Sequence, residues 1–289
     1  MAATIVADPG SCWRAAPDEP LERAWERALA LIHYAKDAGA DVIKWQLLRP
    51  AMYPDNSAPQ RLIAPYCLPD EWLPRLQDVC DQDGIAFACT VYRPEDVPLV
   101  DALGVPFHKV ASFESAHRKL LRAALATEKP VLVSLGTAQR TTDVLLAIRG
   151  RARKLRGLKW LTPLVCVSAY PAQVAQYDLR ALIKDAHGWQ DARGVSDHTP
   201  GPCVSVGAAA AALGAEYIEK HLRAPDSGDS PDAAFAATPA EFAAYVQGIR
   251  GVESTLAPGP RDLANEWRWA RWDARTGRRG VPPVPDVTP

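Results

Sequence analysis

The chain has 289 residues, of which 33 are Lys or Arg and 34 are Asp or Glu, giving a formal charge of −1 at pH 7. Proteins that bind nucleic acids or anionic membranes usually carry an excess of basic residues, so this balance argues against both classes of protein. The length predicts one large domain or two small ones, with enough buried surface to fold without a disulfide or metal staple.

Short runs rich in β-branched residues alternate with longer amphipathic stretches along the chain. The runs predict strands at Thr4–Asp8, Asp41–Gln46, Ile85–Thr90, Val105–Ser112, Pro130–Ser134, Pro163–Ser168, Gly194–His198 and Glu216–His221. The stretches predict helices at Leu21–Ala38, Pro69–Asp83, Pro94–Leu103, Glu114–Thr127, Thr142–Lys154, Leu179–Ala186, Cys203–Leu213 and Pro239–Glu253. A loop rich in Pro and Asn is predicted from the second strand to about Leu68.

Strands that alternate with helices at this spacing imply parallel β-α-β units. Eight such units within about 255 residues match the size of a closed (β/α)₈ barrel, or TIM barrel. We therefore predict an α/β fold with a catalytic barrel over residues 1–255 and a Trp/Arg- and Pro-rich tail over residues 256–289. The alternative is an open, doubly wound sheet, but the first strand is not followed by a Gly-x-Gly-x-x-Gly turn.

Polar side chains end every predicted strand, at the side of a barrel where the chemistry takes place. They are Asp8, Lys44, Gln46, Thr90, Lys109, Ser112, Ser134, Ser168, Ser196, His198, Glu219 and His221. Residues two apart face the same way on a strand, so Lys44 and Gln46 share a face. Any single Ser or Thr here fits a helix cap equally well. Polar ends on all the strands together predict one convergent pocket.

The residue types indicate what that pocket binds. Two lysines and several hydroxyls suit an anionic ligand with phosphate and carboxylate oxygens. Two imidazoles at neighbouring strand ends, with Asp8 beside them, suit a divalent cation with open positions, although a lone buried histidine is more often a core residue. Structural or solvated roles are predicted for the remaining histidines, which are His33, His108, His117 and His187.

The six cysteines include no Cys-x-x-Cys pair, and no apolar stretch after a basic N-terminus marks a signal peptide. The longest run of small apolar residues, 207–215, is far shorter than the roughly 20 residues that cross a bilayer. We therefore expect a soluble, cytoplasmic protein with reduced thiols.

The order of several segments resembles that in the sialic acid synthase family, which includes N-acetylneuraminate synthases and relatives for other nonulosonic acids and spore-coat polysaccharides. The segments are GSCW (10–13), AKDAGADVIKWQ (35–46), HKVASFE (108–114), KPVLVSLGTA (129–138), CVSAYP (166–171), SDHTPG (196–201), AAALGAEYIEKHL (210–222) and SPDAAFAATPAEF (230–242). The resemblance covers nearly the whole chain to about Gly251. Each motif is weak alone, but their shared order is specific.

The resemblance implies a (β/α)₈ transferase that condenses phosphoenolpyruvate with an N-acylated amino sugar, such as N-acetylmannosamine, and water. It also implies a divalent metal ion, Mn²⁺ first, with Mg²⁺ or Co²⁺ as alternatives. In the implied chemistry the enol carbon C3 attacks the acceptor's aldehyde carbon, water captures the cation at C2, and phosphate leaves by C–O cleavage.

The resemblance also assigns residue roles. The metal ligands would be His198 and His221. The residues that hold phosphoenolpyruvate would be Lys44, Thr90, Lys109, Ser112, Ser134, Ser196 and, where relatives carry Ser or Asn, Ser168. The positions near the sugar acceptor are Gln46, Tyr170 and Asp232. The catalytic residues would be Lys109 and two carboxylates near the metal, Asp8 and Glu219.

Two stretches depart from the family pattern. Relatives read Glu-Ile-Gly-x-Asn-His where this chain reads DPGSCW from Asp8. The shorter acid moves the carboxylate by about 1 Å, and we expect Cys12 and Trp13 to reshape the acceptor side. Relatives also carry a C-terminal antifreeze-like domain that reaches into a partner's active site, and we expect this chain to lack it. The tail's Trp and Arg cluster predicts a helix packed on the barrel or a replacement lid.

Three hypotheses remain open. The first is a condensing enzyme for N-acetylmannosamine or for a different aldehyde in natural-product biosynthesis, with no nucleic-acid or membrane partner and a homodimeric assembly. The second is a non-catalytic barrel that binds a sugar or phosphometabolite or serves as a partner subunit. The third is a lyase or aldolase that forms a Schiff base on Lys44 or Lys109.

Overall fold

The computed structural model describes residues 2–136, 160–183 and 192–257, with the backbone of 272–273 and 278–279. The predicted helix over 142–154, the end of the one predicted near 179–186, His187 and most of the Trp/Arg-rich tail lie outside the described residues. The chain divides into two compact units, Met1–Glu253 and Ser254–Pro289. In the second unit, Trp272–Asp273 pairs antiparallel with Arg278–Arg279.

The parallel strands of the first unit close into an eight-stranded barrel, in which each strand pairs with the next and the last pairs with the first. They are β1 (Thr4–Asp8), β2 (Val42–Gln46), β3 (Ala86–Val91), β4 (His108–Val110), β5 (Val131–Ser134), β6 (Leu161–Cys166), β7 (Gly194–Asp197) and β8 (Tyr217–His221). The predicted TIM barrel is therefore confirmed. β4 is shorter than the predicted Val105–Ser112 at both ends, and β6 ends two residues before the predicted Ser168.

Helices connect the strands on the outside of the barrel. Those described are Leu21–Asp37, Ala58–Ile63, Trp72–Asp83, Val97–Asp101, Arg118–Leu125, Ser205–Ala212 and Pro239–Leu256. The second of them corrects the sequence prediction of a loop, because Ser57 caps that helix by accepting a hydrogen bond from the backbone N–H of Gln60. Of the helix predicted over Leu179–Ala186, residues Leu179–Leu182 form a 3₁₀ turn. No helix among the described residues is long and apolar enough to cross a bilayer.

The two faces of each strand explain the sequence pattern. Outward residues such as Ile5, Ile43 and Trp45 pack under the helices in the main core. The inward residues form a separate apolar cluster of Val6, Val42, Ala88, Phe107, Leu132 and Leu164. Each of these inward residues stands two positions before a residue that lines the cavity described below. The cluster therefore closes the lower barrel, and the next layer above it is polar.

Trp13 belongs to the main core and not to the polar end of the barrel. It is 1% exposed and meets Trp72 edge to face, with 5.4 Å between ring centroids. Cys12 is also buried, and its sulfur accepts a hydrogen bond from Ser230. Neither side chain lines the cavity described next. That the two reshape the acceptor side stays a prediction.

Candidate active site

A cavity of about 250 Å³ opens at the carboxyl ends of the strands. Of the predicted site residues it is lined by Asp8, Lys44, Gln46, Thr90, Lys109, Ser112, Ser134, Tyr170, Ser196, His198, Glu219, His221 and Asp232. The remaining predicted residue, Ser168, stands one contact away, with its hydroxyl 2.8 Å from that of Ser112. Because β6 ends early, Cys166 takes the inward position there.

Several lining residues were missed by the sequence analysis. They are Leu48, Tyr53, Tyr92, Ala111, Phe113 and Cys166. Tyr92 was detectable, because it lies two positions beyond Thr90 and therefore shares its face. Its hydroxyl donates to Oε1 of Gln46 at 2.8 Å. Tyr53 and Phe113 belong to loops, where strand alternation gives no signal.

Asp8 is the centre of one charged cluster. Lys44 Nζ donates to Asp8 Oδ2 at 2.7 Å and to Thr90 Oγ1 at 2.8 Å, and Gln46 Nε2 is 3.0 Å from the same Asp8 oxygen. Burial raises the pKa of Asp8, but the charges of Lys44 and His221 have the larger, opposite effect and bring the pKa well below its usual range. Asp8 is therefore a carboxylate at neutral pH. Burial likewise lowers the pKa of Lys44, but the facing carboxylates raise it above its usual value.

Glu219 is the centre of a second cluster on the other side of Lys44. Its Oε1 lies 3.3 Å from Lys109 Nζ and accepts from Ser196 at 2.8 Å, and its Oε2 lies 3.6 Å from Lys44 Nζ. Lys109 also donates to Ser134 at 2.9 Å. Burial raises the pKa of Glu219, and the two ammonium groups outweigh that effect and lower it. The two clusters form one connected network of alternating charge.

The charges on this network nearly cancel. Among the described residues that line the cavity, the cations Lys44 and Lys109 face the carboxylates of Asp8, Glu219 and Asp232. A strongly anionic ligand therefore meets lysines whose charge is already compensated. A divalent cation bound beside them would shift the local balance toward the ligand.

His198 and His221 lie side by side at the ends of β7 and β8, with ring centroids 5.6 Å apart. Nδ1 of His198 is 2.7 Å from the carbonyl oxygen of Val167, which places the proton on Nδ1 and leaves a lone pair on Nε2. Burial and the neighbouring His221 lower the pKa of His198 to about 4, so its imidazole is neutral. His221 has a buried Nδ1 without a hydrogen-bond partner, while its Nε2 is 3.4 Å from Asp8 Oδ2.

These two imidazoles have the donor atoms that a divalent cation takes. Within the described part of the chain, no group of three or more His, Cys, Asp or Glu side chains forms a complete metal cage. A cation held here would rest on the histidine pair and keep positions for other ligands.

Gly10 creates space between two cavity residues. Its φ is +53°, and a Cβ placed on it would be 2.2 Å from Asp232 Oδ2 and 2.9 Å from His221 Nδ1. Asp232 is held in place by Ser11, whose backbone N–H donates to Oδ2 at 2.7 Å. Only glycine accepts both this backbone conformation and this close approach. The turn after β1 thus brings Asp232 beside His221.

Solved structures share this architecture. The N-acetylneuraminic acid synthetase of Leptospira borgpetersenii serovar Hardjo-bovis superposes with a TM-score of 0.75 over 92% of this chain and 90% of that one, at 23% identity. At this level of identity the likeness speaks for the fold. Together with the polar site, it defines the class as a closed (β/α)₈ barrel with polar side chains at the carboxyl ends of its strands.

Sequence comparison supplies the family. The chain is 31% identical over 253 residues to a pseudaminic acid synthase of Campylobacter jejuni, covering 82% of this chain and 72% of that protein. It is 29% identical over 255 residues to an N,N′-diacetyllegionaminic acid synthase of Legionella pneumophila, covering 81% and 70%. The NeuB family model matches residues 31–260, and the chain belongs to the NeuB family. It is a sialic-acid-synthase-like enzyme, a transferase that condenses phosphoenolpyruvate with a sugar through a new carbon–carbon bond.

Proposed function

We propose that this enzyme joins phosphoenolpyruvate to an N-acylated sugar aldehyde with water, and releases a nonulosonic acid and phosphate in a reaction that depends on a divalent metal. The observation that carries the proposal is the single cavity in which two lysine–carboxylate clusters stand beside a histidine pair. The donor site and the metal-binding site would then share the end of the barrel where the carboxyl ends of the strands meet.

The phosphate and carboxylate oxygens of phosphoenolpyruvate would be bound by Lys44 and Lys109. Thr90, Ser134 and Ser196 place further hydroxyl groups in the same cavity. Ser112 and Ser168 would contribute as a pair, because their hydroxyls are hydrogen-bonded to each other at 2.8 Å. Fixed donors of this kind orient the enol for attack.

His198 and His221 would hold the cation, with Mn²⁺ as the first choice. A divalent ion bound there supplies a Lewis acid for the aldehyde oxygen of the acceptor. The fit rests on the lone pair that Nε2 of His198 keeps and on the unpartnered Nδ1 of His221. Because the lysines are already paired with carboxylates, phosphoenolpyruvate should also bind more tightly when the ion is present.

The reaction balances with one water. A bond forms between C3 of phosphoenolpyruvate and the aldehyde carbon, water adds to C2, and the bridging oxygen leaves with phosphate. Of the two water protons, one ends on the new hydroxyl group and the other on phosphate. Asp8 and Glu219 are the carboxylates that would relay them, and Asp8 is the one in contact with His221.

The acceptor would lie at the outer, aromatic side of the cavity. Tyr53, Tyr92, Phe113 and Tyr170 line this side and suit a sugar with apolar faces and N-acyl groups. Gln46 contributes indirectly, because its amide nitrogen is bonded to Asp8 and its oxygen to Tyr92. Acceptor binding on that side would then fall to the Tyr92 hydroxyl and to Asp232.

Phosphate release tests the proposal. The enzyme is incubated with Mn²⁺, phosphoenolpyruvate and a panel of N-acylated aldoses, beside His198→Ala and the control His33→Ala, whose ring is largely exposed on the first helix. We expect release that requires an acceptor and is lost in His198→Ala alone. Absence of acceptor-dependent release from the unaltered enzyme, or equal release from both variants, would contradict the proposal.

The Schiff-base hypothesis is disfavoured for Lys44, whose ammonium group is paired with Asp8 Oδ2 at 2.7 Å. The raised pKa of Lys44 keeps its amine protonated and therefore not nucleophilic. The proposal also includes a homodimeric assembly, a cytoplasmic location and a boundary between barrel and tail near residue 255. Sedimentation of the purified enzyme tests the assembly.

A further inference from the structure

The segment that follows β6, residues 167–177, holds His198 at four points. The carbonyl of Val167 accepts from Nδ1 at 2.7 Å, and the ring of Tyr170 lies 4.5 Å from the imidazole between centroids. The backbone of His198 is bound as well, since its carbonyl accepts from Ala172 N at 2.9 Å and its N–H donates to the Tyr177 hydroxyl at 2.7 Å. We call this segment the β6 loop.

The Tyr177 hydroxyl takes the place of a strand partner for the backbone of His198 beyond the end of β6. The ladder between β6 and β7 stops at the pair Cys166 and Ser196. Beyond that pair the hydroxyl accepts the N–H of His198 and points its own proton toward the carbonyl of Ser196, 3.4 Å away. Without it, the buried N–H of His198 would lose its hydrogen-bond partner, which is costly.

Two contacts of the β6 loop fix different features of His198, namely the tautomer of its ring and the position of its backbone. The Val167 carbonyl fixes the tautomer, which leaves Nε2 as the nitrogen with a lone pair. The Tyr177 hydroxyl fixes the backbone from which the imidazole extends. A shift of this backbone moves Nε2 relative to His221, while the fold of the barrel stays intact.

We propose that Tyr177 is a positioning residue that holds His198 in the place needed for a divalent cation shared with His221. The inference rests on the proposed function, in which the two histidines bind the ion. Groups that orient metal-binding histidines typically contribute 10–100-fold to metal affinity. Because Tyr177 acts on the backbone, an effect of about tenfold is expected.

The test compares Tyr177→Phe with the control Tyr34→Phe, which removes a hydroxyl from a half-buried tyrosine on the first helix. Affinity for Mn²⁺ and the visible absorption of the Co²⁺-loaded protein are measured without substrate. Near-ultraviolet circular dichroism of the metal-free proteins sets a temperature at which all are folded. We expect Tyr177→Phe to bind Mn²⁺ about tenfold more weakly and to shift the Co²⁺ bands, while Tyr34→Phe matches the unaltered protein.

Each other outcome has a definite meaning. Equal affinity and identical Co²⁺ bands in Tyr177→Phe would overturn the positioning role and leave the proposed function standing. An equal loss in Tyr34→Phe would overturn it as well, because the effect would then not be specific to His198. If the unaltered protein binds neither ion, the metal site of the proposed function fails, and the inference fails with it.

Discussion

Replacing Gly10 by alanine tests how the turn after β1 shapes the site. The matched control is Gly104→Ala, because both glycines have positive φ, +53° and +73°. Each variant therefore incurs the strain of a left-handed residue, about 1–2 kcal/mol. The new methyl group of Gly104→Ala meets nothing within 4 Å. In Gly10→Ala it would lie 2.2 Å from Asp232 Oδ2 and 2.9 Å from His221 Nδ1.

The magnitude follows from these distances. A Cβ contact is tight below 3.4 Å, so the Asp232 carboxylate must retreat by about 1 Å from its 2.2 Å position. A displacement of about 1 Å in an active site can cost roughly 100-fold in rate. We therefore expect kcat/KM for phosphate release to fall about 100-fold in Gly10→Ala and to stay within about threefold in Gly104→Ala.

The assay combines urea unfolding of both variants with phosphate-release kinetics. Both proteins should lose about 1–2 kcal/mol of unfolding free energy from backbone strain, and Gly10→Ala should lose more. Equal activities of the two variants would refute the reasoning, because the close approach of Gly10 would then have no bearing on Asp232 and His221.

Three further predictions concern stability, pH and acceptor binding. Asp8→Asn should lower the unfolding free energy by about 3–5 kcal/mol in urea titration, because it leaves the buried Lys44 without its closest carboxylate. The control Glu26→Gln breaks the exposed pair with Arg23 and should cost at most about 1 kcal/mol. Similar losses of unfolding free energy in the two variants would contradict this prediction. Burial lowers the pKa of His108 below 6.5, so folding should lose stability as pH falls below about 6.5. His108→Phe should flatten that decline between about pH 7 and 5, and parallel unfolding curves would argue against it. Tyr92→Phe frees the Gln46 amide and should raise the acceptor KM about 2–10-fold with the phosphoenolpyruvate KM unchanged, whereas equal changes in both would contradict an acceptor-side role.

The barrel and most of the site were predictable because strand alternation is a local property. In β3, Ala88 and Thr90 share a parity, and the structure places one in the apolar cluster and the other in the cavity. The same rule placed Glu219 and His221 together at the end of β8. Polar residues at the carboxyl ends of parallel strands converge in any closed barrel, so their meeting needs no knowledge of the loops.

The features that the sequence did not reveal depend on contacts between segments that are far apart in the chain. Trp13 follows a catalytic strand in sequence, yet it packs against Trp72 because the main core accepts its ring. The role of Gly10 became visible only with Asp232 in place, 222 residues later in the chain. Tyr177 contacts His198 through a loop whose path no periodicity specifies. These contacts are set by tertiary packing, which a single sequence does not display.

The central claim is that a carbon–carbon bond forms between phosphoenolpyruvate and a sugar aldehyde. The most direct measurement uses phosphoenolpyruvate labelled with ¹³C at C3 and acceptor sugars labelled with ¹³C at the aldehyde carbon. We expect a keto acid whose two labels show one-bond ¹³C–¹³C coupling, formed together with phosphate. Phosphate release without a coupled product, or no reaction with any acceptor of the panel, would contradict it.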